Sequence, residues 1–248
     1  MREALFLSRQ ETQCALLRSG LPHWPPFAVL VFRGTTGWRN WFLDLDVRPE
    51  RVAPRTVVHR GFMEAINQIW QDLEPHLKKL VEPLFITGHS MGGALAQLAA
   101  WHHRPEGVYT FGAPRVGDAG FAAGMAAIPT FCLVNNRDVV TVLPPSSQRL
   151  SFKTAGKRIH IDRRGRTCEM EENDMSENCW ESGRMSLPVS EDRWFSPPQF
   201  LVDHAPINYS AKIQSVLQTA QTSPSPEAVW PPAGKKKKPL RTPPPPTP

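Results

Sequence analysis

The sequence predicts an α/β fold in which a mostly parallel central sheet is flanked by helices and carries a small antiparallel hairpin at one edge. Continuous apolar runs such as residues 27–32 are typical of strands that are buried on both faces of a parallel sheet. Helical patterns separate the later runs, and each strand–helix–strand unit takes about 23 residues, which favours parallel strands with right-handed crossovers. The chain has 248 residues, which suits one such domain with a sizeable core.

The first part of the chain contains two helical patterns and two strand patterns. Residues 3–19 suit a helix that would end at Gly20 and the prolines after it. Residues 27–32 form the first predicted strand, and residues 56–59 form a short second one. An amphipathic pattern over residues 61–81 predicts a long helix that buries one face. That face carries Phe62, Ile66, Ile69, Trp70, Leu73, Leu77 and Leu80.

An aromatic helical pattern follows the glycine-containing loop at residues 33–37. Trp38, Trp41, Phe42 and Leu45 recur at i, i+3, i+4 and i+7, so they would share one face of a helix. Such a face suits either a core helix or a mobile lid over an apolar site. The neighbouring glycine loop favours the lid, which makes Trp38, Trp41 and Phe42 candidate substrate-binding residues.

Strands and helices continue to alternate through the middle of the chain. Predicted strands lie at residues 84–87, 108–111 and 130–135, and predicted helices lie at residues 93–100 and 118–127. This alternation is what indicates a parallel sheet.

The chain changes character after residue 148. Residues 149–153 and 158–162 alternate polar and apolar side chains, which predicts an antiparallel edge hairpin. The acidic residues 167–192 suit an exposed loop, and residues 203–218 predict a last helix or a loop followed by a helix.

Composition separates a globular part, residues 1–221, from a tail rich in proline and lysine, residues 222–248, that is predicted to be disordered. The net charge is +6, of which residues 235–238 and Arg241 supply +5, so the rest of the chain carries +1. A nearly neutral globular part lacks the basic surface that binds nucleic acid.

The cysteines and the N-terminus bear on cellular location. Cys14, Cys132, Cys168 and Cys179 show no C-x-x-C spacing, which argues against a zinc or redox site. The N-terminus has an acid at position 3 and an apolar run of four residues, unlike a secretory signal. No apolar run reaches the roughly 18 residues of a transmembrane helix. We expect reduced thiols and a cytoplasmic protein, with a Cys168–Cys179 bridge as the alternative.

The most informative motif is Gly88-His89-Ser90-Met91-Gly92, a G-x-S-x-G pentapeptide between a predicted strand and a predicted helix. A strand that turns directly into a helix strains the middle residue and brings the two elements close together. Glycine is therefore needed two residues on either side. The turn would expose the Ser90 hydroxyl at a helix N-terminus, where negative charge is stabilised. Ser90 is the candidate nucleophile, and a purely structural turn is the alternative.

A serine nucleophile needs a base to take its proton and an acid to orient that base. In this type of site the acid and then the base follow the serine along the chain. Asp138 lies just after the predicted strand 130–135, where sites assemble on parallel sheets, whereas Asp118 suits a helix cap. His204 lies in a predicted loop and His160 in an alternating strand. We expect His204 to be the base, because loops present catalytic side chains over a rigid sheet.

The tetrahedral intermediate of acyl transfer also needs N–H donors for its negatively charged oxygen. Met91 follows Ser90 at the predicted helix start, so its backbone N–H is one candidate donor. Thr35, in the loop after the first predicted strand, is expected to supply the second through its N–H and its hydroxyl.

Taken in order, these motifs resemble those of the class 3 lipases, the fungal-lipase-like branch of the α/β-hydrolases. The matching segments lie at residues 31–35, 59–62, 87–96, 110–117, 135–140 and 143–145. The resemblance implies an α/β-hydrolase fold with Ser90 as nucleophile, Asp138 as acid and a later histidine as base. It also implies an oxyanion hole made by Thr35 and Met91, and a lid near residues 38–45. Members of this family hydrolyse acylglycerol or phospholipid esters without a metal or cofactor.

The sequence thus predicts a serine ester hydrolase that acts on acyl lipids. A soluble carboxylesterase or a phospholipase A1 would carry the same residues, because pocket shape decides acyl-chain choice. A non-enzymatic hydrolase-like scaffold is the third hypothesis, with residues 235–238 contacting a partner or an anionic membrane at about 1 kcal/mol per lysine. The predicted lid offers a second route to peripheral membrane contact. Residues 148–200 lie outside the resemblance, so the choice of His204 follows from chain order and loop context.

Overall fold

The structure is a computed structural model that describes residues 3–20, 25–34, 48–144, 151–170 and 199–222. The predicted lid, the predicted disordered tail and most of the acidic loop lie outside these ranges.

The alternation of strands and helices follows the pattern of apolar runs in the sequence. The strands are β1 (Glu3–Arg9), β2 (Thr12–Arg18), β3 (Ala28–Phe32), β4 (Pro49–Ala53), β5 (Thr56–His59), β6 (Leu84–His89), β7 (Gly107–Phe111), β8 (Thr130–Asn135), β9 (Lys157–Ile161) and β10 (Thr167–Met170). The helices are α1 (Arg60–Leu77), α2 (Met91–His102), α3 (Ala119–Met125), α4 (Gln199–His204) and α5 (Pro206–Thr222), and a 3-10 helix spans Val139–Val142.

One large sheet organises the part of the chain that the structure describes. Its eight strands lie in the order β1-β2-β3-β6-β7-β8-β9-β10, while β4 and β5 pair with each other in a separate sheet. The five strands from β3 to β9 in this order run parallel. Strands β1, β2 and β10 are antiparallel to their neighbours. This topology confirms the predicted mostly parallel sheet with an antiparallel edge hairpin.

The helix α1 buries the face that its 3.6-residue period predicts. Phe62, Ile66, Ile69, Leu73 and Leu77 are at most 1% exposed. Helix α2 is buried on all sides, from Met91 through Ala100. Its small side chains let it lie close to the sheet, and this contact supports the turn that precedes it.

The helix predicted for residues 3–19 is wrong, because these residues form the β1–β2 hairpin. Gln10 lies in the turn with a φ of 50°. Residues of β2 alternate between buried and half-buried positions, and Cys14 and Leu16 reach the core. Strand β2 pairs with β3, placing Cys14 opposite Phe32. The two-residue period and this pairing outweigh the local helix propensity.

The predicted edge hairpin exists, but its strands differ from the prediction. Strand β9 covers most of the predicted second arm and pairs with β10, which lies in the stretch expected to be a loop. Residues 151–153 instead run beside Gly117, whose carbonyl accepts a 2.7 Å hydrogen bond from the Lys153 N–H. Phe152 is 1% exposed, because this segment fills the core rather than the sheet edge. Cys168 on β10 is exposed, and Cys179 lies outside the described residues, so the alternative Cys168–Cys179 bridge stays a prediction.

Candidate active site

Ser90 occupies a strained turn between β6 and α2. Its backbone φ of 56° and ψ of −127° are angles that residues with a side chain rarely adopt. A Cβ on Gly88 would lie 2.2 Å from the carbonyl oxygen of Gly92, and a Cβ on Gly92 would lie 2.3 Å from that of Phe32. Both distances are far inside van der Waals contact, so the close approach of strand and helix explains the glycine spacing of the motif.

The structure brings Ser90, His204 and Asp138 together, although 114 positions separate the first two. His204 Nε2 lies 2.9 Å from Ser90 Oγ. His204 Nδ1 lies 2.9 Å from Asp138 Oδ2 and 3.0 Å from Asp138 Oδ1. An ionised carboxylate only accepts, so Nδ1 carries the ring proton and Nε2 is free to accept from the serine hydroxyl. The three residues are at most 4% exposed, so water screens these contacts little.

Asp138 is held by the element that it begins. It follows β8 and caps the 3-10 helix, where its Oδ1 accepts a 3.0 Å hydrogen bond from the Val140 N–H. Tyr209 Oη donates to Asp138 Oδ2 at 2.7 Å. Each carboxylate oxygen therefore has a donor besides His204, and these hydrogen bonds together fix the orientation of the carboxylate.

Tyr209 on α5 is a residue of this site that the sequence analysis missed. Its hydroxyl also accepts a 2.9 Å hydrogen bond from the Asn135 N–H. Burial raises the pKa of Tyr209 well above its ordinary value, and the negative charge of Asp138 raises it further. Tyr209 therefore stays a neutral donor. Two features of the sequence could have identified Tyr209 as a site residue. It lies five positions after His204, and the chain has only two tyrosines.

His89, the residue before Ser90, packs against the candidate base. Its Nε2 donates to the His204 carbonyl oxygen at 2.8 Å, and the two ring centroids lie 4.7 Å apart. Burial lowers the pKa of His89 to about 4, and the neighbouring His204 contributes to this lowering. His89 is therefore neutral near pH 7, which spares His204 a neighbouring positive charge when it takes up a proton.

The position of His204 differs locally from the predicted loop. His204 is the last residue of the short helix α4, and Ala205 and Pro206 follow it. The rival residues have structural partners elsewhere. His160 Nε2 donates to the Asn136 carbonyl at 2.9 Å, and Asp118 Oδ1 caps α3 by accepting from the Phe121 N–H at 3.0 Å.

The elements expected to form an oxyanion hole meet at Ser90. Met91 is the first residue of α2, where backbone N–H groups have no acceptor within the helix. Gly34, after β3, lies close to the Ser90 turn. A Cβ on Gly34 would be 2.8 Å from the His89 carbonyl oxygen and 3.6 Å from Ser90 Cβ. Thr35 and the lid residues Trp38, Trp41 and Phe42 lie outside the described residues.

A small cavity of about 130 Å³ lies beside the histidines. It is lined by His89, Phe111, Pro206, Tyr209, Ser210 and Ile213. Phe111, Pro206 and Ile213 make much of this wall apolar. A larger cavity of about 190 Å³ lies between the β1–β2 turn and α1, and it reaches the active-site elements only at Met91.

The described residues offer neither a cluster of metal ligands nor a membrane-spanning helix. Among those residues, histidine, cysteine, aspartate and glutamate side chains form no group of three that would hold a metal ion. Their helices include none with the length and hydropathy needed to cross a bilayer.

A mostly parallel sheet that carries a strained serine turn, with a histidine and an aspartate in line behind it, is the arrangement of an α/β-hydrolase fold with a candidate serine nucleophile. Residues 29–148 match the family described as Lipase (class 3). Over this part, the chain is similar to the class 3, fungal-lipase-like family of the α/β-hydrolases. The resemblance inferred from the motifs is thereby confirmed.

The sequence relatives are lipases. The chain is 36% identical over 150 residues to a lipase of Rhizomucor miehei, a match that covers 53% of this chain and 41% of that protein. It is 35% identical over 109 residues to the secreted mono- and diacylglycerol lipase 1 of Fusarium solani, covering 38% of this chain and 32% of that protein. The chain thus spans less than half the length of these relatives.

Solved structures give the same fold. A triacylglycerol lipase whose catalytic centre is formed by a serine protease triad is 27% identical with a TM-score of 0.58, over 71% of this chain and 75% of that one. Lipase II from Rhizopus niveus is 25% identical with a TM-score of 0.61, over 81% and 78% of the two chains. These similarities confirm the predicted α/β-hydrolase fold.

Proposed function

We propose that this chain is a serine ester hydrolase of the lipase type, which cleaves acylglycerol or phospholipid esters through an acyl-enzyme intermediate. The observation that carries the proposal is the 2.9 Å contact from His204 Nε2 to Ser90 Oγ, with Asp138 against Nδ1 of the same ring. A hydroxyl, a base and an orienting acid in this order are what nucleophilic acyl transfer requires.

In the first half of the reaction, His204 Nε2 takes the Ser90 hydroxyl proton while Oγ bonds to the ester carbonyl carbon. Asp138 stabilises the resulting imidazolium, because His204 is buried and water screens its charge little. The backbone N–H of Met91 faces the developing oxyanion together with the predicted donor Thr35. When the tetrahedral intermediate collapses, the ester C–O bond breaks and His204 returns the proton to the leaving alcohol.

In the second half, water replaces the alcohol. His204 removes a proton from this water as its oxygen bonds to the acyl carbon. Collapse of the second intermediate breaks the bond to Ser90 Oγ, which takes the proton back from His204. The products are a free carboxylic acid and the original enzyme, so the cycle needs no cofactor.

An acyl-lipid substrate is supported by the apolar wall of the cavity beside His89 and Tyr209. It is also supported by relatives that are named lipases or mono- and diacylglycerol lipases. Hydrolysis of triacylglycerols, diacylglycerols, phospholipids and short p-nitrophenyl esters, measured side by side, distinguishes an acylglycerol lipase from a phospholipase A1 and both from a soluble carboxylesterase. Preference for water-soluble short esters over every lipid would contradict the lipase proposal.

The sequence predicts a cytoplasmic location and peripheral membrane contact through the lid or the lysines at 235–238. Both stay predictions, because those residues lie outside the described ranges. Some relatives are named secreted lipases.

The direct test is covalent labelling by a fluorophosphonate, which reacts with an activated serine. We expect one labelled site, no labelling of Ser90→Ala, and loss of p-nitrophenyl ester hydrolysis in the same variant. Ser8→Ala, which alters an exposed serine on β1, is the control and should behave as the wild type. Ester hydrolysis that survives in Ser90→Ala would overturn the proposal.

A further inference from the structure

Asp203, the residue before His204, joins the helix that carries the base to the turn that carries the acid. Its Oδ2 accepts hydrogen bonds from Asn136 Nδ2 at 2.8 Å and from the Arg137 N–H at 3.2 Å. Its backbone carbonyl accepts a 2.8 Å hydrogen bond from Asn135 Nδ2. The three residues that precede Asp138 therefore all hold Asp203, and we call these three contacts the 135–137 clasp.

The clasp is partly buried. Asp203 is 5% exposed and Asn135 is fully buried, so the bond between them forms away from bulk water. The two bonds to Asp203 Oδ2 are half-buried, because Arg137 is exposed. Asn136 has a φ of 48°, a conformation that asparagine tolerates better than most residues. Its carbonyl also accepts from His160 on β9, so the clasp is braced against the parallel sheet.

The helix α4 is six residues long, and Pro206 follows two residues after its end, so it lacks the length that stabilises an isolated helix and depends on tertiary contacts. The clasp supplies three of these contacts. Another is the hydrogen bond from His89 Nε2 to the His204 carbonyl oxygen. His204 must nevertheless keep Nδ1 within 3.0 Å of Asp138 and Nε2 within 2.9 Å of Ser90. A shift of about 1 Å in such a geometry costs up to about 100-fold in rate.

We propose that Asp203 is a positioning residue that sets His204 relative to Asp138 through the hydrogen bonds of the clasp. This inference rests on the proposed function, because it concerns the rate at which Ser90 reacts. One oxygen, Oδ2, accepts from both Asn136 and Arg137. An asparagine at position 203 keeps such an oxygen, whereas an alanine removes it.

The test compares Asp203→Asn with Asp203→Ala in the full chain. Active sites are counted by fluorophosphonate titration, so that kcat refers to reactive Ser90 and misfolded molecules do not contribute. We expect kcat of Asp203→Ala to fall about 10- to 100-fold with KM little changed. The kcat of Asp203→Asn should stay within about 5-fold of the wild type, since the acceptor remains.

A second variant tests the clasp without changing Asp203, in case Asp203→Ala folds poorly. Asn136→Gly removes the Nδ2 donor and tolerates the positive φ, so it weakens the clasp from the other side. We expect an intermediate loss of kcat. The double variant Asp203→Ala, Asn136→Gly should be no slower than Asp203→Ala alone, because Asp203→Ala already removes the contact with Asn136 Nδ2.

The matched control is Asp162→Ala. Asp162 Oδ1 also accepts from two backbone N–H groups, those of Arg164 and Arg166 at 2.8 and 2.9 Å, but in the β9–β10 turn. Its removal should leave kcat per titrated site unchanged. If kcat of Asp162→Ala also fell, the protein would be sensitive to the loss of any carboxylate that holds a turn. That result would count against the proposal.

A spectroscopic readout separates the positioning role from the chemistry. The proton between His204 Nδ1 and Asp138 should give a downfield NMR resonance in the wild type and in Asp203→Asn, and a shifted or exchanged one in Asp203→Ala. Equal kcat in wild type and Asp203→Ala, or equal losses in both Asp203 variants, would overturn the proposal. Absence of labelling in the wild type would instead overturn the proposed hydrolase function.

Discussion

Tyr209 Oη donates a 2.7 Å hydrogen bond to Asp138 Oδ2 and accepts a 2.9 Å hydrogen bond from the Asn135 N–H. The hydroxyl therefore joins the candidate acid, Asp138, to the end of β8. Tyr209 is 2% exposed and Asp138 is fully buried. A buried carboxylate needs such donors, because burial without them would favour its neutral form.

Tyr209→Phe should lower both stability and activity. The change leaves the Asn135 N–H and one lone pair of Asp138 without their partner, which costs about 1–3 kcal/mol of unfolding free energy. Urea unfolding and ester hydrolysis measure the two effects. The control is Tyr109→Phe, which alters the second tyrosine of the chain, 38% exposed on β7. If the two variants are equally stable and active, the hydroxyl of Tyr209 has no such role.

Asp138→Asn should reduce kcat by roughly 10³- to 10⁴-fold, because an amide stabilises the wrong tautomer of His204 and not its protonated form. Steady-state hydrolysis of a soluble ester gives the value, and circular dichroism checks the fold. Asp118→Asn is the matched control. It keeps an equally good cap for α3, so its activity should match the wild type. A modest loss in Asp138→Asn would assign the acid to another residue.

Gly88→Ala should destabilise the protein strongly. The new Cβ would lie 2.2 Å from the Gly92 carbonyl oxygen, so β6 and α2 would have to separate. We expect a loss on the order of 3 kcal/mol, measured by thermal or urea unfolding. Gly107→Ala is the control, because its Cβ would meet neighbours at 3.4 to 3.5 Å, which is ordinary contact. Similar losses in the two variants would contradict the steric explanation of the motif.

The free energy of unfolding should fall as the pH drops from about 6.5 to about 4. Burial lowers the pKa of His89 to about 4 in the folded chain, while an unfolded histidine titrates near 6.5. The unfolded state then binds more protons across this window, so acid favours unfolding. The contribution of His89 is at most about 1.4 kcal/mol per pH unit and is absent above that window.

His89→Gln tests this dependence by urea unfolding at pH 7 and pH 5. The variant should lose less stability than the wild type over that interval, because one depressed titration is gone. His76→Gln on the exposed face of α1 is the control and should keep the wild-type slope. An unchanged slope in His89→Gln would leave His102 and His103, whose pKa values burial also lowers, as the groups responsible.

Sequence and structure agree most closely where a local pattern has one physical solution. Continuous apolar runs predict β3 and β6, and the amphipathic period of residues 61–81 predicts α1. The Ser90 turn was predicted from the glycines at 88 and 92, since no residue with a Cβ fits there. The hairpin of β1 and β2 was mispredicted as a helix, because its pairing with β3 is invisible in a local pattern.

The sequence alone thus specified the alternating strands and helices from β5 to β8, the nucleophile turn and the candidate residues Asp138 and His204, which follow from short-range sterics and chain order. The convergence of those residues depended on tertiary structure, because the contacts from His204 to Asp138 and to Ser90 bridge 66 and 114 positions. The same holds for Tyr209, Asp203 and His89. Their partners are distant in the chain, and only packing of α4 and α5 on the sheet brings those partners within hydrogen-bonding distance.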